Sequence, residues 1–227
     1  MRRHFGACTP AAHSTAQYFK DSWGIIFSHP RDFTPVCTTE LGTVAKILPD
    51  LDARGVKVLA LSVDSAESHK AWTKDIEATS GVSVTFPIIA DPDREFATEL
   101  GMLDPDEKDD TGLPVTVRAV LIFNPAGTLA LSITYPPAVG RNFKEVLRVV
   151  DALQRAAVHP VATPANWEPG QQVMLQPSLS AEQAATQFPA HTVTDVPSGK
   201  GYIRMAADPE PEAVTKLPAA AGAAGSA

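Results

Sequence analysis

Trp23-Gly24-Ile25-Ile26-Phe27-Ser28-His29-Pro30-Arg31-Asp32-Phe33-Thr34-Pro35-Val36-Cys37-Thr38-Thr39-Glu40-Leu41 runs from a compact apolar stretch, through a proline-framed loop, into a helix start. Trp23–Ser28 is short enough for a buried strand. Over residues 37–53, Leu41, Val44, Ala45, Leu48 and Leu51 recur at helical spacing. Pro49 is expected to kink or end that helix, and Arg54-Gly55 to close it. Cys37 therefore sits at the positive end of a helix, where an anion is favoured. The thiolate is the reactive form of cysteine, so this is a place to build a reactive sulfur.

The pattern continues outward. Residues 56–63 read as a second buried strand, followed by a helix capped by Asp64 or Ser65 that runs to Ala78 with Ala71, Trp72 and Ile76 inward. Residues 86–90 form a third strand and residues 92–100 a short helix ending at Gly101. Strands over 117–123 and 129–134 flank the hairpin turn Asn124-Pro125-Ala126-Gly127. A helix over 142–156 shares Phe143, Val146, Leu147 and Val150 on one face. Strands alternating with helices, then a hairpin and a last helix, predict an α/β fold with a central mixed sheet covered on both sides. Four segments are expected: a leader over 1–20, a main domain over 21–157, a proline-broken C-terminal domain over 158–205, and a disordered tail over 206–227.

Composition narrows the function. With 44% hydrophobic residues in 227, a real core is available, and a formal charge of −7 argues against a nucleic-acid partner. No apolar run is long enough for an integral membrane segment. Two cysteines, Cys8 and Cys37, make no disulfide framework, which suits a reducing compartment and a cytoplasmic location. The leader holds Arg2, Arg3, Ser14, Thr15 and Lys20 and no acidic residue before Asp21, so mitochondrial targeting is the alternative. A zinc site from His4, Cys8 and His13 has the wrong spacing and lacks a fourth ligand, so no metal is expected.

Pro30-x-x-x-Thr34-x-x-Cys37 resembles the active-site signature of the peroxiredoxins. The longer run from Asp21 to Gly42 is similar to their one-cysteine subfamily, typified by peroxiredoxin-6, and the likeness extends over roughly residues 21 to 205. The opening of the chain departs from that pattern: the family's Gly-Asp-x-Ala-Pro-x-Phe segment and short hairpin are not found, so the leader reads as truncated or replaced. The resemblance implies a thioredoxin-like fold, a homodimer built in part by the C-terminal domain, and a thiol-dependent peroxidase acting on hydrogen peroxide and organic hydroperoxides in cell redox homeostasis. The alternative is a non-enzymatic redox sensor or chaperone on the same scaffold.

Peroxide reduction then assigns roles. Cys37 attacks one peroxide oxygen and becomes a sulfenic acid. An ordinary thiol is already about 3% ionised at neutral pH, so full ionisation gains only about thirtyfold, and most of the acceleration must come from positioning and charge stabilisation. Thr34 can accept a hydrogen bond from the peroxide and return one. Pro30 stiffens the loop. Arg118 lies in an otherwise apolar strand, where a cation should be paired or functional, and it matches the family's active-site arginine. Arg141 matches a second, supporting arginine, and Glu40 is placed to bridge the two. His29 matches a residue of the subfamily's pocket and is expected to steer peroxide or reductant.

No cysteine follows Cys37, so the cycle needs an external thiol and no bound cofactor. In relatives the thiol is commonly glutathione, delivered with a glutathione transferase; a resolving role for Cys8 is the weaker reading. Some relatives also hydrolyse phospholipids through a serine with a His and an Asp. Here Ser22 matches the serine, but the other two positions fall at Ala16 and Ala126, so no lipase activity is expected.

Overall fold

The structure, a computed structural model, describes residues 15–210. The expectations for His4, Cys8 and His13, and for residues 211–227, lie outside the described residues. The chain divides between Phe143 and Lys144 into two compact units. The expected boundary at 157/158 falls instead at the far end of a helix.

The first unit is built on a five-stranded mixed sheet. Strands β1 (Trp23–Ser28), β2 (Val56–Ser62) and β3 (Ile88–Ala90) run parallel, while β6 (Arg118–Phe123) and β7 (Leu129–Tyr135) are antiparallel additions, giving the order β3-β2-β1-β6-β7. β1 is central and buried at all six positions, as its unbroken apolar run requires. One sheet face carries Ile26, Leu59, Leu61, Ile89, Ala119 and Leu121 into a core with Phe19, Ala97 and Met102.

Helix α2 (Pro35–Ala53) and helix α3 (Ala66–Ser80) pack on the sheet's crossovers. α2 does not stop at Pro49. It continues to Ala53, because the ring forfeits one backbone bond while Leu51 beyond it is fully buried. Gly42 lets α2 and α3 approach: a Cβ there would lie 2.8 Å from the Ser80 Cβ. α3 starts at the Ser65 cap, whose hydroxyl accepts from the Ser68 N–H, and ends at left-handed Gly81. A short helix, α4 (Glu95–Glu99), follows β3.

Two features depart from the sequence reading. The described end of the leader is folded: helix α1 (Thr15–Tyr18) precedes Phe19, which is 7% exposed and stacks on Phe123 with ring centroids 6.0 Å apart. Between Met102 and Val117 lies an unforeseen two-stranded ribbon, β4 (Leu103–Lys108) with β5 (Pro114–Thr116). Its acidic, largely exposed sequence lacks the alternation that marks a half-buried strand.

The second unit opens with all but the first residue of α5 (Phe143–Val158) and adds a small antiparallel sheet, β10-β11-β9-β8, from β8 (Val161–Ala162), β9 (Val173–Leu175), β10 (Thr192–Val193) and β11 (Arg204–Ala206). Helix α6 (Ala181–Gln187) begins with a capping box from Ser180 and Gln183. Trp167 is fully buried among Val161, Val173, Leu175 and Leu179. Order continues past the expected tail start at Ala206. Arg155, fully buried over the Trp167 ring, holds both Asp208 oxygens at 3.0 Å, and His159 meets Glu210 at 2.8 Å. An ionic tether does what the tail's weak hydrophobicity could not.

Candidate active site

Thr34 is the N-cap of α2, Pro35 its first residue and Cys37 its third. Pro35 has no N–H to leave unsatisfied, so proline is at home there. The first paired helix N–H is that of Thr38, 3.0 Å from the Thr34 carbonyl, and Thr34 makes no side-chain cap. The N–H groups of Val36 and Cys37 therefore face out of the helix end. Cys37 is fully buried.

Arg118, at the start of β6, brings Nη1 to 3.2 Å from the Cys37 sulfur. Ser28 fixes that strand start: its hydroxyl donates to the Val117 carbonyl at 2.5 Å and accepts from the Ala119 N–H at 2.9 Å. The Arg118 guanidinium is clamped from its other edge, because Nε and Nη2 both donate to the Pro137 carbonyl, at 3.0 and 2.8 Å. Its Nη1 also donates to Glu40 Oε2 at 2.8 Å.

Glu40 lies one helical turn beyond Cys37 and faces the same way. Its Oε1 accepts from the Arg141 backbone N–H (2.8 Å) and Nε (3.0 Å), and its Oε2 from Arg141 Nη2 (2.9 Å). Arg141 Nη1 donates to the carbonyls of Ser28 and Ala119, and its guanidinium lies over Phe27 and Phe143. Burial pushes the Arg141 guanidinium down from its ordinary value and Glu40 pulls it back up. Two guanidiniums against one carboxylate leave one positive charge beside the sulfur. A thiolate would complete the balance, the environment in which a cysteine is reactive.

The structure thus brings together Cys37, Arg118, Glu40 and Arg141, three of them forecast to surround the sulfur. Thr34 is present with a different hydrogen-bond role than expected. Its Oγ1 donates to the Arg31 carbonyl at 2.9 Å, so toward a substrate it offers lone pairs only. Pro30 is buried in the loop. His29 is fully buried, its Nε2 2.8 Å from Asp32 and its ring 4.9 Å from that of Trp72. Sequence reasoning missed the Pro137 carbonyl and Asp32. For Asp32 the only local hint was its i,i+3 spacing from His29.

Elsewhere in this unit, Ala16 and Ala126 line one largely apolar cavity of about 300 Å³ with Phe19, Ile26, Phe96 and Phe123. The Ser22 hydroxyl donates to the Phe19 carbonyl at 3.0 Å.

Comparison with known proteins agrees with this geometry. The AhpC/TSA family model matches residues 8–132, and that of the C-terminal domain of 1-Cys peroxiredoxin matches residues 152–190. Peroxiredoxin-6 of Rattus norvegicus is 54% identical over 212 residues, 91% of this chain and 95% of that protein. Peroxiredoxin-6 of Gallus gallus is 56% identical over 198 residues, 85% and 88% of the two chains. A cysteine-to-serine variant of the peroxiredoxin 6 of Arenicola marina superposes with a TM-score of 0.88 at 50% identity, over 91% of this chain and 94% of that one. The yeast mitochondrial 1-Cys peroxiredoxin superposes with a TM-score of 0.78 at 39% identity, over 91% and 100%. A buried cysteine at a helix start, bonded to a clamped arginine, and relatives that match nearly end to end lead to one assignment: this chain belongs to the peroxiredoxin family, in its one-cysteine branch, and is a thiol-dependent peroxidase.

Proposed function

We propose that Cys37 is the peroxidatic nucleophile and that Arg118 and Thr34 are its partners in reducing hydrogen peroxide and organic hydroperoxides. The observation that carries this is the 3.2 Å contact between Arg118 Nη1 and the sulfur, made by a guanidinium whose other edge is fixed. The thiolate attacks the nearer peroxide oxygen. A sulfur–oxygen bond forms, the O–O bond breaks, and the departing alkoxide or hydroxide takes up a proton and leaves as alcohol or water. The sulfur is oxidised by two electrons to a sulfenic acid. Arg118 follows the negative charge from sulfur to the leaving oxygen, and Thr34 accepts from the peroxide O–H. Glu40 and Arg141 hold Arg118.

An external thiol completes the cycle. It condenses with the sulfenic acid to a mixed disulfide and water, and a second thiol releases Cys37 as a disulfide forms between the two. Glutathione is the proposed reductant, with a glutathione transferase as its carrier. The yeast mitochondrial relative, whose thiol resolving mechanism runs via glutathione/thioredoxin systems, supports this choice. A homodimer and a cytoplasmic location are part of the same proposal, the latter because a reducing compartment returns the sulfur to its thiol.

Cys37→Ser should abolish peroxide consumption, while Cys8→Ser keeps at least the first turnover; loss of that turnover in Cys8→Ser alone sinks the assignment. Sustained turnover with glutathione and its transferase is expected, and an arrest after one equivalent of peroxide excludes this reductant. Sedimentation checks the dimer.

A further inference from the structure

The loop between β1 and α2 contains a conformation that needs explaining. Phe33 has φ 54°, the left-handed region that an aromatic residue rarely enters. The residue is 55% exposed, so packing of its ring does not hold it there. The preceding residue can. Asp32 is 3% exposed, and its carboxylate is a hub. Oδ1 accepts from His29 Nε2 at 2.8 Å, and Oδ2 accepts from His69 Nδ1 at 2.7 Å and Ser68 Oγ at 2.8 Å. The Asp32 N–H donates to Asp64 Oδ2 at 2.9 Å, which also accepts from Ser62 Oγ at 2.7 Å. These partners stand after β1, at the end of β2 and in the first turn of α3. His69 Nε2 reaches the Ile89 carbonyl in β3 at 3.3 Å. Through its carboxylate and its backbone N–H, Asp32 thus ties the loop to the chain after β1, to the end of β2 and to the first turn of α3.

We propose that Asp32 is the positioning residue of the peroxidase site: anchored by His29 and His69, it fixes the turn that sets Thr34 and the first turn of α2 around Cys37. The inference rests on the peroxidatic role of Cys37. The link is short. Thr34 Oγ1 is oriented by the Arg31 carbonyl, so its direction depends on the backbone of residues 31–33. If Asp32 lets go, Phe33 relaxes to negative φ, the Arg31 carbonyl turns away, and the threonine hydroxyl loses its aim.

The cluster is a hydrogen-bonded one. Its 2.7 and 2.8 Å nitrogen–oxygen separations are shorter than the edge of about 3.3 Å that ligands around a tetrahedral zinc would keep. Burial would raise the Asp32 carboxyl, but the bonds from His29 and His69 outweigh it and hold that group well below the usual carboxylate range. An ionised carboxylate only accepts, so both rings donate to it. That leaves His29 Nδ1 buried and without a partner among the described residues. The spare nitrogen makes a specific rescue available. In Asp32→Asn, His29 can move its proton to Nδ1 and accept from the amide, so the hub keeps its connections without its charge.

The test uses the reduced full-length chain in two single-turnover reactions, oxidation of Cys37 by hydrogen peroxide and its alkylation by iodoacetamide. Only the first needs an oriented peroxide. Asp32→Ala should slow oxidation about 100-fold while alkylation changes less than about threefold, and Asp32→Asn should return oxidation to within about tenfold of wild type. Oxidation of Asp32→Ala within about threefold of wild type, or parallel losses in both reactions, overturns the proposal. Should Asp32→Ala not fold, His69→Asn decides by the same criterion: a loss in oxidation exceeding the loss in alkylation supports it, and equal losses refute it. Wild-type Cys37 left untouched by peroxide would instead refute the peroxidatic role on which the inference stands.

Discussion

Glu40→Gln removes one charge from the cluster behind Cys37 and keeps its shape. The carboxylate accepts from Arg118 at 2.8 Å and from Arg141 through three nitrogens. The side chains of Arg118 and Arg141 are 4% and 0% exposed, so neither can turn to water. Removing one partner of a buried ion pair costs about 3–5 kcal/mol. The glutamine carbonyl still serves one guanidinium, which points to the lower end, about 3 kcal/mol, or roughly a hundredfold in the folding equilibrium. In a chain of this size that lowers the melting midpoint by about 6–12 °C. Peroxide oxidation should fall only about tenfold, because both Arg118 bonds to Pro137 survive, whereas Arg118→Ala removes the donor itself and should cost about 10²–10³-fold. Urea denaturation followed by circular dichroism and stopped-flow oxidation read the two effects. A Glu40→Gln chain within about 0.5 kcal/mol of wild type refutes the reasoning. So does strict additivity with Arg141→Gln, since the paired loss of charge and countercharge should recover more than about 1 kcal/mol.

Burial, the largest influence, pushes the His29 imidazole down from its ordinary value, against the pull of its Asp32 bond and aided by neighbouring His69. Unfolded chains then bind a proton below about pH 6.5 that the folded site refuses, so stability falls with acidification by at most about 1.4 kcal/mol per pH unit. Urea midpoints at neutral and mildly acidic pH should show this slope in wild type and a shallower one in His29→Asn; equal slopes refute it. Asp208→Asn takes the nearest carboxylate charge from the fully buried Arg155, leaving Asp151 at 3.9 Å, and should cost about 3 kcal/mol by urea denaturation; an unchanged midpoint would remove the tether's importance. Ser22, with alanines at positions 16 and 126, should hydrolyse no phospholipid; release of fatty acid that disappears in Ser22→Ala would contradict this.

Much of the site was legible because its members break local rules. Cys37 announced itself by following two prolines into a helix, and Arg118 by being a cation inside an apolar strand. Glu40 was expected as the bridge between Arg118 and Arg141. What was hidden depends on tertiary approach. His69 meets Asp32 from 37 residues away in sequence, and no local pattern carries that distance. Pro137 contributes a main-chain carbonyl, which any residue could supply. The β4–β5 ribbon carries no period-two pattern, since little of it is buried. Residues 206–210 were read from their hydrophobicity, yet what holds them is the charge on Asp208, whose partner lies 53 residues earlier.

The complete burial of Cys37 sharpens the chemical argument. Burial disfavours an anion, and a helix terminus returns only about 0.3–1 kcal/mol, or up to about 2 when partly buried. A contact from a charged donor is needed merely to keep the sulfur competent. Ionisation alone still gains no more than about thirtyfold at neutral pH, against accelerations of about 10⁶ or more that enzymes typically reach. The remainder must arise as charge leaves the sulfur for the departing oxygen. Arg118 is built for that movement: two of its nitrogens donate to the Pro137 carbonyl, and the third, facing the sulfur, is shared with Glu40, so the guanidinium stays in place while the charge moves past it. Thr34, its single proton committed to Arg31, can only accept, which selects a substrate that brings its own O–H. Hydrogen peroxide and alkyl hydroperoxides carry that group and dialkyl peroxides do not. The geometry therefore predicts turnover of the first two and failure with the third, whatever its O–O bond strength.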